Sequence, residues 1–220
     1  MARIVDLSYL IHEGMTTYPS PNHPLVQITQ LGRHGIENRE TRRVVLGTHT
    51  GTHCDAQRHF IPNGSSIEHL PLELLIGPAR LVDLTEIGQK QRVDAALLER
   101  RLGATPGERL VLRFDWSSHW GTRAYYQHYP FLTTEAAEWI VTRGVRLLGM
   151  DTPSPDNPRD DAASDNDSPV HKILLGHGIT LVEYLCNLAQ IQEDHFELIV
   201  LPLKIENGDG APARCVARLS

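Results

Sequence analysis

The side chains of this sequence best suited to chemistry crowd into one stretch, His49-Thr50-Gly51-Thr52-His53-Cys54-Asp55-Ala56-Gln57-Arg58-His59. Three imidazoles and a carboxylate fall within eleven positions, spaced by small residues. Imidazole nitrogen and carboxylate oxygen are the donors preferred by a borderline divalent cation such as zinc or manganese. The β-branched Val44, Val45, Thr48, Thr50 and Thr52, together with Gly47 and Gly51, disfavour a helix here. In an extended strand, residues 49, 51, 53 and 55 share one face. The spacing therefore predicts His49, His53 and Asp55 pointing together, with Cys54 turned away as a small packed residue. Three protein ligands leave an open coordination position, which suits catalysis better than a structural role. His59, just beyond, reads either as a fourth ligand or as a free base held beside the metal.

A two-metal hydrolytic site needs about five or six ligands, so a second half is expected downstream. His171 and Glu183 are candidates. Glu183 directly follows the apolar run Ile179–Val182, where a carboxylate needs a partner. His177 and His195 are equally open on composition.

The elements that must position these residues are mostly strands. Arg3–Leu7, Leu25–Leu31, Thr41–Leu46, Arg80–Leu84, Arg109–Phe114, Val145–Met150 and Glu197–Ile205 are apolar or β-branched runs of strand length. Helical spacing predicts Val93–Leu102, stopped at Gly103, and a helix capped by Thr133 and running through Thr142. Ser168-Pro169 reads as an N-cap followed by an N1 proline, opening a short helix through Leu175. The mixed order predicts a single α/β domain over residues 1–220 with a mixed sheet. Residues 151–168 form a long polar loop of functional type. Residues 115–130, rich in Trp, Tyr and His, read equally as a loop packed on the domain or on a second subunit, or as the lid or wall of a pocket.

Composition bounds the function classes. A chain of 220 residues, 40% hydrophobic and 22% charged, is an ordinary globular protein. A net charge of -6 argues against nucleic acid or an anionic membrane as the main partner. No apolar run approaches the ~18 residues of a membrane span, and Met1–Asp6 lacks the apolar core of a secretory leader. Three widely spaced cysteines make neither a disulfide framework nor a thiolate zinc site, so a reduced, cytoplasmic setting is expected. Neither a G-x-G-x-x-G fingerprint after the first strand nor a G-x-S-x-G elbow is present.

Taken together, the motifs resemble the metal-dependent cyclase family that includes bacterial kynurenine formamidases and isatin hydrolases. Asp6-Leu7-Ser8 with Gly14-Met15-Thr16-Thr17-Tyr18-Pro19 resembles its opening, and His49-x-Gly51-Thr52-His53-x-Asp55-x-x-x-His59-Phe60 its signature. Gly149-Met150-Asp151-Thr152-x-Ser154-x-Asp156 resembles the next block. His171 and Glu183 keep the family's offset, and Pro202–Ile205 with Gly208-Asp209-Gly210-Ala211-Pro212-x-Arg214 resembles its close.

The resemblance implies a compact α/β fold of the swivelling β/β/α type, a homodimer or homotetramer, and an active site near a subunit interface. It implies two divalent ions, zinc or manganese. His49 and His53 hold one, His171 holds the other, and Asp55 and Glu183 touch both. His59 is then the proton donor and acceptor. The activity implied is hydrolysis of an amide, formamide or lactam of a small aromatic or cyclic molecule. Alternatives are a cyclase or lyase stabilising an enolate on the same scaffold, or a non-catalytic metal-binding protein. Two positions depart from the pattern. Tyr18-Pro19 stands where kynurenine formamidases carry Trp-Pro facing the substrate, and Gln57 stands where proline is usual.

Overall fold

Runs of Val, Ile and Leu only four to eight residues long cannot bury themselves alone, and here they do so by closing a sheet. The computed structural model describes residues 2–158 and 167–219. In chain order the first elements are β1 (Arg3–Asp6), β2 (Gln27–Gly32), β3 (Thr41–Val45), β4 (His53–Asp55), α1 (Leu72–Leu75) and β5 (Ile76–Asp83). Next come β6 (Arg92–Val93), α2 (Ala95–Leu102), β7 (Arg109–Arg113), α3 (Arg123–Gln127), β8 (Phe131–Leu132) and α4 (Thr134–Thr142). The last are β9 (Leu147–Met150), α5 (Pro169–Gly176), β10 (Thr180–Glu183), β11 (His195–Pro202) and β12 (Gly210–Leu219).

The main sheet has eight strands in the order β1-β12-β11-β5-β7-β9-β10-β4. β5, β7, β9 and β10 run parallel; the remaining pairings are antiparallel. β4 pairs with β10 on one side and with the start of β12 on the other, so the sheet closes into a barrel. Successive side chains alternate between two apolar clusters, as strand geometry requires. Leu81, Val111, Leu147, Val182 and Leu198 meet inside the barrel with Cys54 and Cys215. Val82, Leu110, Leu112, Leu148 and Leu181 face outward, beneath α2, α4 and α5. This is the α/β, mixed-sheet architecture expected from the sequence.

The helices follow their caps. Thr133 accepts from the Ala136 N–H and Asp94 from the Leu97 N–H. The second cap corrects the expected start at Val93, which instead lies in β6 and pairs with β8. Ser168 stands at the expected N-cap of α5, but in a left-handed conformation with no side-chain capping bond. The Asp156 carboxylate supplies the cap, accepting from the Val170 N–H at 2.7 Å and the His171 N–H at 3.1 Å. β2 and β3 form a separate hairpin rather than joining the barrel. β10 and β12 were not anticipated as strands. The opening and closing motifs meet where β1 pairs with β12, and Arg214 donates two bonds to Asp6 there.

Candidate metal centre

His53, Asp55 and Glu183 come together because β4 and β10 lie side by side, with Glu183 opposite His53 in the register. The extended strand expected over 49–55 is only three residues long. A turn precedes it, in which Gly51 takes a left-handed φ of 60°. That conformation suits glycine, and it folds His49 back toward Asp55. Strand parity was thus the wrong reason for grouping His49 with His53 and Asp55, although the structure does group them.

Each of the three histidines has one ring nitrogen fixed from behind and the other turned inward, toward both buried carboxylates for His53 and His171 and toward Asp55 for His49. His53 Nδ1 lies 2.8 Å from the Gly51 carbonyl oxygen. A carbonyl only accepts, so Nδ1 carries the proton and Nε2 keeps its lone pair in the neutral ring. That Nε2 lies 3.2 Å from Asp55 Oδ1 and 3.5 Å from Glu183 Oε2. His171 Nδ1 is 2.6 Å from Asp156 Oδ2, and its Nε2 faces Glu183 Oε1 at 3.1 Å and Asp55 Oδ2 at 3.5 Å. His49 Nε2 is 2.8 Å from Asp209 Oδ2, and its Nδ1 faces Asp55 Oδ1 at 2.8 Å.

Asp55 and Glu183 therefore divide their oxygens. One oxygen of each faces His53, with His49 also on the Asp55 oxygen, and the other oxygen of each faces His171. His53 Nε2, Asp55 Oδ2 and Glu183 Oε1 are buried without a hydrogen-bond partner. Lone pairs facing carboxylates in a buried site are unfavourable unless a cation lies among them. Metal–ligand bonds of about 2.0–2.2 Å set neighbouring donors about 3–3.5 Å apart, which is the spacing of His53 and His171 from the two carboxylates, while His49 lies closer, 2.8 Å from Asp55. The donor set fits divalent metal, and the outward carboxylate or carbonyl on each imidazole is the usual support for a metal-ligating histidine.

The electrostatics show the same demand for positive charge among the carboxylates, met by protons on the rings where no cation lies between them. Burial alone would depress His49, but Asp55 and Asp209 outweigh it and hold its pKa up to about 10. For His171 burial is again the largest effect and is downward, yet Asp156, Asp55 and Glu183 raise it. For Asp55 burial pushes upward, and His49 and His171 pull it well below the usual carboxylate range. His23, depressed to about 4 by burial and by His49, stays neutral beside the cluster.

His59 sits at the rim, stacked on His49 with ring centroids 3.9 Å apart. Its Nδ1 is 3.5 Å from Asp209 Oδ2. His49, Asp55 and His59 also offer donor atoms mutually within 4.8 Å, so both sequence readings of His59 remain geometrically open. Gln57 pins the turn carrying His59, accepting from the Ser65 N–H at 3.1 Å. Cys54 is buried in the barrel interior, away from the donors. His177, which bonds the Ile173 carbonyl, and His195, exposed at the start of β11, are not gathered into the cluster.

Beside the centre lies a cavity of about 570 Å³ lined by Met15, Thr16, Tyr18, His23, Arg123 and Tyr126, among others. Tyr18 packs edge-on to Tyr126, and His23 bridges Tyr18 and His49 with centroids 5.5 and 6.1 Å away. The 115–130 segment serves both expected purposes. Trp116, Tyr125 and Tyr129 are buried in the core, and Gly121 through Arg123 with Tyr126 wall the cavity. Of the 151–168 loop, residues 159–166 lie outside the described residues. Its first part is buried and supplies Asp156. Asp156 and Asp209 were missed as site residues in the sequence. Only an acidic residue between two glycines (208–210) and a carboxylate within a Pro/Asp/Asn run marked them.

The family described as "Putative cyclase" matches residues 5–157. A kynurenine formamidase from Bacillus cytotoxicus is 32% identical over 217 residues, covering 97% of this chain and 96% of that one. Among solved structures, isatin hydrolase A from Labrenzia aggregata superposes with a TM-score of 0.89 at 27% identity, covering 99% of this chain and 94% of that one. A protein from Bacillus stearothermophilus described as a "predicted metal-dependent hydrolase" superposes with a TM-score of 0.81 at 26% identity, covering 99% and 98%. This chain belongs to the cyclase family.

Proposed function

We propose that the protein is a metal-dependent hydrolase that opens a carbon–nitrogen bond of an amide, formamide or lactam in a small aromatic or cyclic substrate. The observation that carries this is the set of three imidazole nitrogens facing two carboxylates with divided oxygens. That division supports two zinc or manganese ions, with His49 and His53 on one side, His171 on the other, and Asp55 and Glu183 shared. The similarity to a kynurenine formamidase and to isatin hydrolase A, both named for hydrolysis, supports the reaction class.

Bound divalent ions at such donors lower the pKa of a water toward neutrality and polarise a carbonyl oxygen. The remaining work falls to the chain itself. Tyr18 and Tyr126 offer flat apolar surface for an aromatic ring in the cavity. His59 takes the proton of the attacking water and returns it to the departing nitrogen, which would otherwise leave as a poor anionic group. The exposed Leu31, Ile36, Val44 and Val45 on and around the β2–β3 hairpin support a homodimer or homotetramer, measurable by light scattering.

Purified His59→Ala should retain its metal by elemental analysis and lose about 10²–10⁴-fold in turnover of an aryl formamide. Loss of the metal instead would make His59 a ligand. Reaction in oxygen-18 water should label the acid product; an unlabelled product would point to cyclase or lyase chemistry.

A further inference from the structure

We propose that Asp209 is a positioning residue that holds the proton-carrying His59 in one tautomer and ties it to the metal-ligating His49, a role that rests on the hydrolase reading above. A single oxygen, Asp209 Oδ2, lies 2.8 Å from His49 Nε2 and 3.5 Å from His59 Nδ1. The two rings stack with an interplanar angle of 28°. Neither histidine can turn without changing its relation to the same carboxylate.

The backbone is built to bring this carboxylate in. Asp209 stands between Gly208 and Gly210, immediately before β12 meets β4. A Cβ at 210 would fall 2.7 Å from the Cys54 carbonyl oxygen and 2.7 Å from His49 Cε1. A Cβ at 208 would fall 2.7 Å from Ile67 Cγ2. The Ala56 N–H bonds the Asp209 carbonyl at 2.9 Å, fixing the turn against the strand end that carries Asp55. Only glycine on both sides lets the chain pass this close.

The chemistry follows from the ring protons. A neutral imidazole that ligates through Nδ1 carries its proton on Nε2, and Asp209 accepts that proton from His49. The charge of the same oxygen, 3.5 Å from His59 Nδ1, favours the proton on that nitrogen, leaving His59 Nε2 with the lone pair that takes a proton. When it does, the imidazolium arises beside a carboxylate already in place. A carboxylate that orients an imidazole in this way acts through it and need not touch substrate.

The test has two parts. In the zinc-loaded wild-type protein, nitrogen-15 spectra of His59 should show the Nδ1–H tautomer, and Asp209→Asn should shift it toward Nε2–H. An Nε2–H tautomer in the wild type would overturn the proposal whatever the activity. In kinetics with metal in excess, Asp209→Asn should keep its KM and lose about 10–100-fold in kcat. The loss should be larger for formamides of basic amines than of nitroanilines, and absent in a His59→Ala background. If the variant loses metal while turnover per bound metal is unchanged, or if the two losses multiply, Asp209 serves His49 alone. Should the wild type hydrolyse no amide yet show the Nδ1–H tautomer, the hydrolase reading fails and the positioning stands.

Discussion

Three histidines, each held from behind by a different acceptor, give the centre its chemical character: a backbone carbonyl for His53, Asp156 for His171 and Asp209 for His49. The ligand types and their local crowding were legible in the sequence, since residues 49–59 announce them. The acceptors were not. Asp156 and Asp209 reach their histidines only through tertiary folding, and the Gly51 carbonyl carries no side-chain signal at all. The choice of His171 over His177 and His195 needed resemblance or structure for the same reason. Asp156 does two things at once, receiving the His171 Nδ1–H and capping α5 through two backbone N–H groups. Asp156→Ala should lose the cap, worth about 1 kcal/mol, and lower Tm by roughly 2–4 °C. It should also weaken metal binding about 10–100-fold. Asp156→Asn should recover much of the Tm but little of the affinity, measured by competition with a chromogenic chelator. Equal affinity in both variants and the wild type would reduce Asp156 to a cap.

Element ends, more than element interiors, decide where the functional groups stand. Most strands and all three longer helices were legible from apolar runs and caps, whereas β12 was hidden. Its Pro212, its charged Arg214 and Arg218 and its small Gly and Ala residues dilute the apolar signal, and pairing on both edges makes it a strand. The strand expected through His49 failed because Gly51 turns the chain left-handed. Asp151, at the end of β9, shows what such an end can store. Its carboxylate accepts the Phe114 and Trp116 N–H groups just beyond β7, at 3.0 Å each. Burial nevertheless lifts its pKa to about 7, with Asp115 adding to the rise. An acid whose folded pKa lies above its unfolded value of about 3.9 binds more protons folded than unfolded. Its contribution is complete below about pH 4 and is lost as pH rises through about 7. The urea stability of the wild type relative to Asp151→Asn should therefore fall between pH 4 and 7 and level off above. A flat difference would mean that the two N–H bonds cancel the burial.

At the scale of the molecule, the centre sits on the seam that closes the barrel. β4 is three residues long, yet among the described residues it alone joins β10 to the start of β12. Composition and periodicity predicted a mixed sheet but could not show this closure, because it depends on pairing between residues more than a hundred positions apart. His53 and Asp55 lie on β4, Glu183 on the adjacent β10, and Asp209 at the entry to β12. Cations gathered by Asp55 and Glu183 would pull the short strand onto its neighbour, offsetting the repulsion of two buried carboxylates. Chelation should then destabilise the protein and do so locally. At free metal about 100 times Kd, binding contributes about 2.7 kcal/mol. For a chain of this length that corresponds to roughly 5–11 °C in Tm. Hydrogen exchange after chelation should show lost protection first at 53–55 and 180–183, while β5 and β7, paired on both edges and distant from the seam, keep theirs. If protection falls evenly across the sheet, or if Tm is indifferent to the chelator, the ions do not hold the seam, and closure rests on the backbone ladder and the apolar interior alone.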